Sequence, residues 1–188
     1  MKSRIVASIN DTHCMEFKHL RVGDYFIANV RDLLNYINLN REPPKMKTLL
    51  FMKIDPRKMV ALDKYDGIFP GTIFTFTENS SDFLVHKPND IRIEIIIDRC
   101  IRSGGTLMDI SDVSVYEFDN GSCFTSGSHI YMVTDEVFVD NVDFHGYHKL
   151  IVDLTNQTIS VCSPVKEENI SKFPDLLMIE TCIFSVNL

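Results

Sequence analysis

Short alternating runs of apolar and polar residues dominate this chain, and one arrangement of them occurs twice. In the first half it reads Phe51-Met52-Lys53-Ile54-Asp55, Met59-Val60-Ala61-Leu62-Asp63 and Thr72-Ile73-Phe74. In the second half it reads Tyr131-Met132-Val133-Thr134-Asp135, Leu150-Ile151-Val152-Asp153 and Thr158-Ile159-Ser160. An aromatic segment opening on glycine precedes each set, Gly23-Asp24-Tyr25-Phe26 in one and Gly121-Ser122-Cys123-Phe124 in the other. Matched spacing of this kind predicts two related β modules.

The remaining pattern fills in those modules. Ile91, Ile93, Ile95 and Ile97 alternate along a strand, and Ser103-Gly104-Gly105 marks a break. Further strands are expected over 113–118, 130–134, 137–139, 150–154, 158–162 and 177–186, with a loop from Pro164 to Pro174. One helix stands out. Val30, Leu33, Leu34 and Ile37 form a single apolar stripe behind a capping Asn29, and Pro43-Pro44 stops it. The second half has no room for such a helix between Phe124 and Ile130, so it reads as an insertion at about 29–40. The expected fold is therefore mainly β: two related small antiparallel β-barrel or curled-sheet modules, 10–102 and 103–188, with one short inserted helix. A single larger sandwich with one shared core is the alternative.

The order of elements in the first half resembles that of small β-barrel proteins of unknown role from tailed bacteriophages. The matching residues are Phe17, Leu20, Val22, Gly23, Asp24 and Phe26, then Met52, Ile54 and Asp55, then Val60 and Leu62, and finally Gly71, Ile73 and Phe76. These are packing and turn residues. The resemblance implies a virion or host bacterial cytoplasmic setting and transfers no active site.

Composition narrows the class further. With 45% hydrophobic and 24% charged residues in 188, the chain has the make-up of a folded globular protein. No apolar run is long enough to cross a bilayer, and the opening Met1-Lys2-Ser3-Arg4 has no apolar signal core behind it, so neither membrane nor secretion is expected. The cysteines at 14, 100, 123, 162 and 182 are odd in number and scattered, which suits reduced core thiols rather than disulfides or a zinc ribbon. The net charge of −7 is unevenly spread. Residues 1–60 hold eleven Lys and Arg against six Asp and Glu, a balance of +5, and residues 61–188 hold eight against twenty, a balance of −12. A division like this points to charge-complementary association.

Motifs for nucleotide loops and activated nucleophiles do not occur in the sequence. The strongest chemical cluster is Asp143, His145 and His148, weak candidates for a divalent metal site because zinc centres draw three or four ligands. It lies in an excursion, residues 137–147, that has no counterpart between Asp55 and Asp63. Nucleic-acid binding would use Arg41, Lys45, Lys47, Lys53, Arg57 and Lys58 with Phe51 as a stacking ring, but a pI of about 5.3 speaks against it. The expectation is a non-enzymatic phage-type structural or assembly protein that needs no cofactor and works through protein–protein surfaces. Its contacts are self-association or virion assembly, with Arg41, Lys45 and Lys47 facing Asp135, Glu136, Asp140 and Asp143. A host-directed inhibitor or nucleotide-signal-binding protein is the second reading, and a metal-dependent hydrolase the third.

Overall fold

The computed structural model describes residues 5–6, 12–34, 48–65, 67–76, 82–89, 91–97, 115–139, 147–164, 166–173 and 176–186. The protein is mainly β, as its alternating pattern requires. Its contacts divide the chain into two compact units, one of Ser3–Glu94 with Ile183–Leu188, the other of Met1–Lys2 with Ile95–Cys182. The glycine pair at 104–105 lies outside the described residues.

The first unit contains β1 (Ile5–Val6), β2 (Thr12–Glu16), a 3-10 turn (Phe17–His19), β3 (Tyr25–Asn29) and α1 (Val30–Leu34). It continues through β4 (Thr48–Asp55), β5 (Lys58–Ala61), β6 (Ile73–Thr75) and β7 (Leu84–Pro88); β8 (Ile91–Ile97) starts in this unit and ends in the second. Six of these strands form an antiparallel sheet in the order β2-β7-β3-β4-β5-β6. The Asn29 side chain accepts a hydrogen bond from Arg31 N at 2.9 Å, so the expected cap does start α1. Strand β4 is buried on both faces from Leu49 to Ile54, which explains why its apolar run is nearly continuous. One face carries Leu49 and Phe51 into a core of phenylalanines. There Phe17 stacks on Phe83 with centroids 4.9 Å apart and meets Phe26 and Phe76 edge-on.

The second unit opens with a 3-10 turn (Val115–Glu117), where the sequence pattern had predicted a strand. Then come β9 (Cys123–Ser126), β10 (His129–Val139), β11 (Tyr147–Asp153), β12 (Thr158–Cys162), α2 (Lys166–Lys172) and β13 (Leu177–Val186). Helix α2 replaces the loop expected between Pro164 and Pro174. Its Asn169 is buried and holds the end of β12: Asn169 Oδ1 accepts from Ser163 N and from the Cys162 thiol, both at 3.1 Å. Side-chain hydrogen bonding of that kind is a tertiary effect with no periodic signature. The sheet runs β13-β9-β10-β11-β12, antiparallel at every step. Its core holds Phe118, Phe124, Val133, Ile151 and Phe173, with α2 lying against the 3-10 turn. Leu177–Ile179 of β13 pair with β9, while its last residues, from Ile183, belong to the first unit, where Phe184 and Ser185 pair in parallel with β1.

The two sheets use one hydrogen-bonding register. Tyr25 opposes Met52 and Phe26 opposes Phe51, as Cys123 opposes Met132 and Phe124 opposes Tyr131. Phe51 opposes Ala61 and Met52 opposes Val60, as Tyr131 opposes Asp153 and Met132 opposes Val152. Met59 opposes Phe74 and Val60 opposes Ile73, as Ile151 opposes Ser160 and Val152 opposes Ile159. The turns before β3 and β9 agree as well. Gly23 N donates to Lys53 O and Gly121 N to Val133 O, both at 2.7 Å, with φ of 95° and 81°. Only glycine takes that conformation without strain, which is why a glycine opens both aromatic segments.

Candidate functional site

Where the two sheets differ is at the end of the β10–β11 hairpin. In the first unit β4 stops at Asp55, whose carboxylate accepts from Arg57 N at 3.0 Å and closes a tight turn into β5. In the second unit the corresponding stretch bulges between Val133 and Val137 instead of turning. Thr134 fills the bulge, donating from its hydroxyl to Leu150 O at 2.9 Å and accepting from Glu136 N at 3.3 Å. The strands then resume pairing, Val137 with Lys149, Phe138 with His148 and Val139 with Tyr147. This extension exposes apolar side chains: Val137 is 45% and Tyr147 62% accessible, next to an exposed Asp135 and a half-buried Glu136.

Of the predicted interaction residues, Asp135 and Glu136 thus sit at the bulge. Arg41, Lys45, Lys47, Asp140 and Asp143 lie outside the described residues, as does His145. His148 is half-buried on β11, and no group of three or more metal-ligating side chains occurs among the described residues. Among the described residues no helix is long and apolar enough to cross a membrane.

Two members of the proposed nucleic-acid surface, Lys53 and Phe51, are internal. Lys53 is buried, and its ammonium donates to Phe17 O at 3.0 Å and Leu20 O at 2.9 Å while lying 4.5 Å above the Phe17 ring. Burial lowers its pKa, with Asp24 and Asp55 opposing the shift. Phe51 lies in the core and offers no face to a base. Lysine plays the same part in the second unit from a different strand: Lys149 Nζ donates to Phe118 O at 3.0 Å, 5.3 Å from the Tyr116 ring. In each case an ammonium satisfies the carbonyl of the residue that follows the 3-10 turn, Leu20 O in the first unit and Phe118 O in the second. The Cys162 thiol is likewise internal, its pKa pushed up to about 12 by burial, which leaves it unreactive at neutral pH.

A second feature of this hairpin has no motif in the sequence. At the base of β10 the His129 ring lies stacked against Tyr131, with Nδ1 2.9 Å from Asp153 Oδ2. Asn156 Nδ2 donates to the same oxygen at 3.1 Å. Asp153 Oδ1 accepts from Thr155 N and Asn156 N, both at 2.9 Å, and so organises the turn into β12. The corresponding register positions of the first unit hold Leu49, Phe51 and Ala61, all fully buried in its apolar core. Aligning the two sequences on the aspartates that end each run, Asp63 with Asp153, conceals this exchange, because the register sets Asp153 against Ala61 instead.

Comparison of the chain with family models, with curated proteins and with solved structures finds no match.

Proposed function

We propose that this chain is a structural or assembly protein of the phage type, built from two copies of one curled antiparallel β module and acting through protein–protein surfaces. The carrying observation is the β10–β11 extension. On a shared strand register it replaces a tight turn with a bulge and three further strand pairs, with Val137 and Tyr147 exposed and acidic residues beside them. Exposed apolar side chains rimmed by charge suit a contact that excludes water at its centre. The common register supports the duplication. The resemblance of the first half to phage β-barrel proteins supports a place in the virion or the host bacterial cytoplasm.

The partner we favour is another copy of the chain. Asp135, Glu136, Asp140 and Asp143 on this side face Arg41, Lys45 and Lys47 on the next, a heterologous contact that builds rings or tubes. Long-range attraction between such faces weakens with salt, since the Debye length falls from about 10 Å at 0.1 M to about 3 Å at 1 M. Sedimentation at the two salt concentrations should show assemblies that dissociate at the higher one. Reversing Arg41, Lys45 and Lys47 to Glu should leave monomers with an unchanged circular dichroism spectrum, because exposed charges add little to stability. Assembly indifferent to both treatments rejects the self-association. A monomer absent from purified particles would favour a host-directed binder.

A further inference from the structure

The exchange of Leu49 and Ala61 for His129 and Asp153 needs a cause. An apolar pair at that spot is what the first unit's core contains. Setting a carboxylate and an imidazole there costs solvation without adding apolar burial. The turn into β12 does not require the histidine, because Asp153 organises it through Oδ1. Departures of this kind from a module's own core pattern are where functional groups are found.

The polar neighbours of the ring gather at Nδ1. Asp153 Oδ2, on a side chain only 6% exposed, accepts from Asn156 Nδ2, and His129 Nδ1 lies 2.9 Å from that oxygen and 2.8 Å from Asn156 Nδ2. With the proton on Nδ1 and directed at Asp153 Oδ2, Nε2 of the neutral ring keeps its lone pair. Nε2 has no hydrogen-bond partner among the described residues, and the His129 side chain is 35% exposed. A buried carboxylate on one nitrogen and an open lone pair on the other is the arrangement of a general base and its orienting group.

We propose that His129 and Asp153 form an acid–base dyad, in which His129 Nε2 takes the proton of a hydroxyl group, from an alcohol or water, brought against it. In this step the O–H bond breaks, an Nε2–H bond forms, and the Asp153 carboxylate balances the charge gained by the ring. Asp153 is the positioning residue, holding the tautomer and orientation of the imidazole. The site is separate from the hairpin tip and does not depend on self-association.

The test uses diethyl pyrocarbonate, an acyl donor that reports an open, basic imidazole nitrogen site by site. Nε2 attacks a carbonyl carbon, ethyl carbonate leaves with the bonding pair, and the Nδ1 proton departs through Asp153 to solvent. Accessibility alone ranks His13 and His19 first, since both are exposed, His19 at 63%. The dyad reverses that order, so peptide mass spectrometry at neutral pH should find His129 modified faster than either. Nitrogen-15 NMR of the full chain should show His129 protonated at Nδ1 and bare at Nε2. In Asp153→Asn the side-chain oxygen still accepts from Thr155 N and Asn156 N, while its amide turns an N–H toward the ring. The tautomer should then flip to Nε2–H and carbethoxylation of His129 should slow about tenfold or more. A His129 that reacts no faster than His19, or that carries its proton on Nε2 in the unaltered protein, overturns the proposal, as does an Asp153→Asn variant with unchanged rate and tautomer.

Discussion

Lys53 shows how far a side chain's role can sit from its sequence context. In the linear chain it belongs to a basic run; in the fold its ammonium is enclosed, satisfying Phe17 O and Leu20 O. Lys53→Met keeps the length of the side chain but takes the ammonium from Leu20 O and leaves Phe17 O with Leu20 N alone, and should cost about 1–3 kcal/mol in urea unfolding at pH 7. The pH dependence follows from the lowered pKa. Between the lowered native pKa and the ordinary value of 10.5 the unfolded chain binds more protons at this residue than the folded one, so Lys53's contribution rises with pH across that window. Groups such as Tyr131 and Cys162, whose pKa values are raised, act in the opposite direction but equally in both proteins. The stability gap between wild type and Lys53→Met should therefore widen from pH 8 toward 10.5; a gap that narrows would contradict the assignment.

At the level of elements, the hairpin is where the two halves part, and it can be removed on paper with little disturbance. Replacing Glu136–His148 by a single proline yields Asp135-Pro-Lys149-Leu150, a copy of Asp55-Pro56-Arg57-Lys58. Lys149 stays to cap Phe118 O, and the pairs from Met132–Val152 to Tyr131–Asp153 are untouched. The shortened protein should melt within about 4 °C of wild type, the shift expected for a change of about 1 kcal/mol or less at this chain length. It should also fail to assemble. Retained assembly would move the contact elsewhere. Two elements were misread from sequence for a common reason. The 3-10 turn at Val115–Glu117 and helix α2 are each too short for periodicity to declare itself. The turn is closed by Phe118 N donating to Val115 O, and α2 is tied by Asn169 to residues at the end of β12.

For the whole molecule, what matters kinetically is that partners in the sheets are distant along the chain. Thr12 meets His86 across β2 and β7, and Ile5 pairs with Phe184. Contacts of this reach demand costly loop closure before they return any stability, so refolding should take milliseconds to seconds, as for β topologies in general. Stopped-flow fluorescence of the tyrosines would measure it; microsecond relaxation would mean that local contacts dominate after all.

Sequence alone determined the β class, the glycine turns before β3 and β9, and the capped start of α1. Each follows from interactions within a few residues: side-chain alternation, glycine's access to positive φ, and a polar cap next to an apolar stripe. Only the tertiary structure decided which charged groups lie inside. Lys53 and Asp153 look like surface residues in any local window, and become internal because carbonyls from Phe17 and Leu20, and a ring from His129, arrive from other elements to meet them. Register decided the rest. A shift of two residues in matching the strands that end at Asp63 and Asp153 is invisible to hydrophobic alternation, because alternation repeats every two residues; hydrogen bonding between neighbouring strands fixes it, and with it the place of the His129–Asp153 pair.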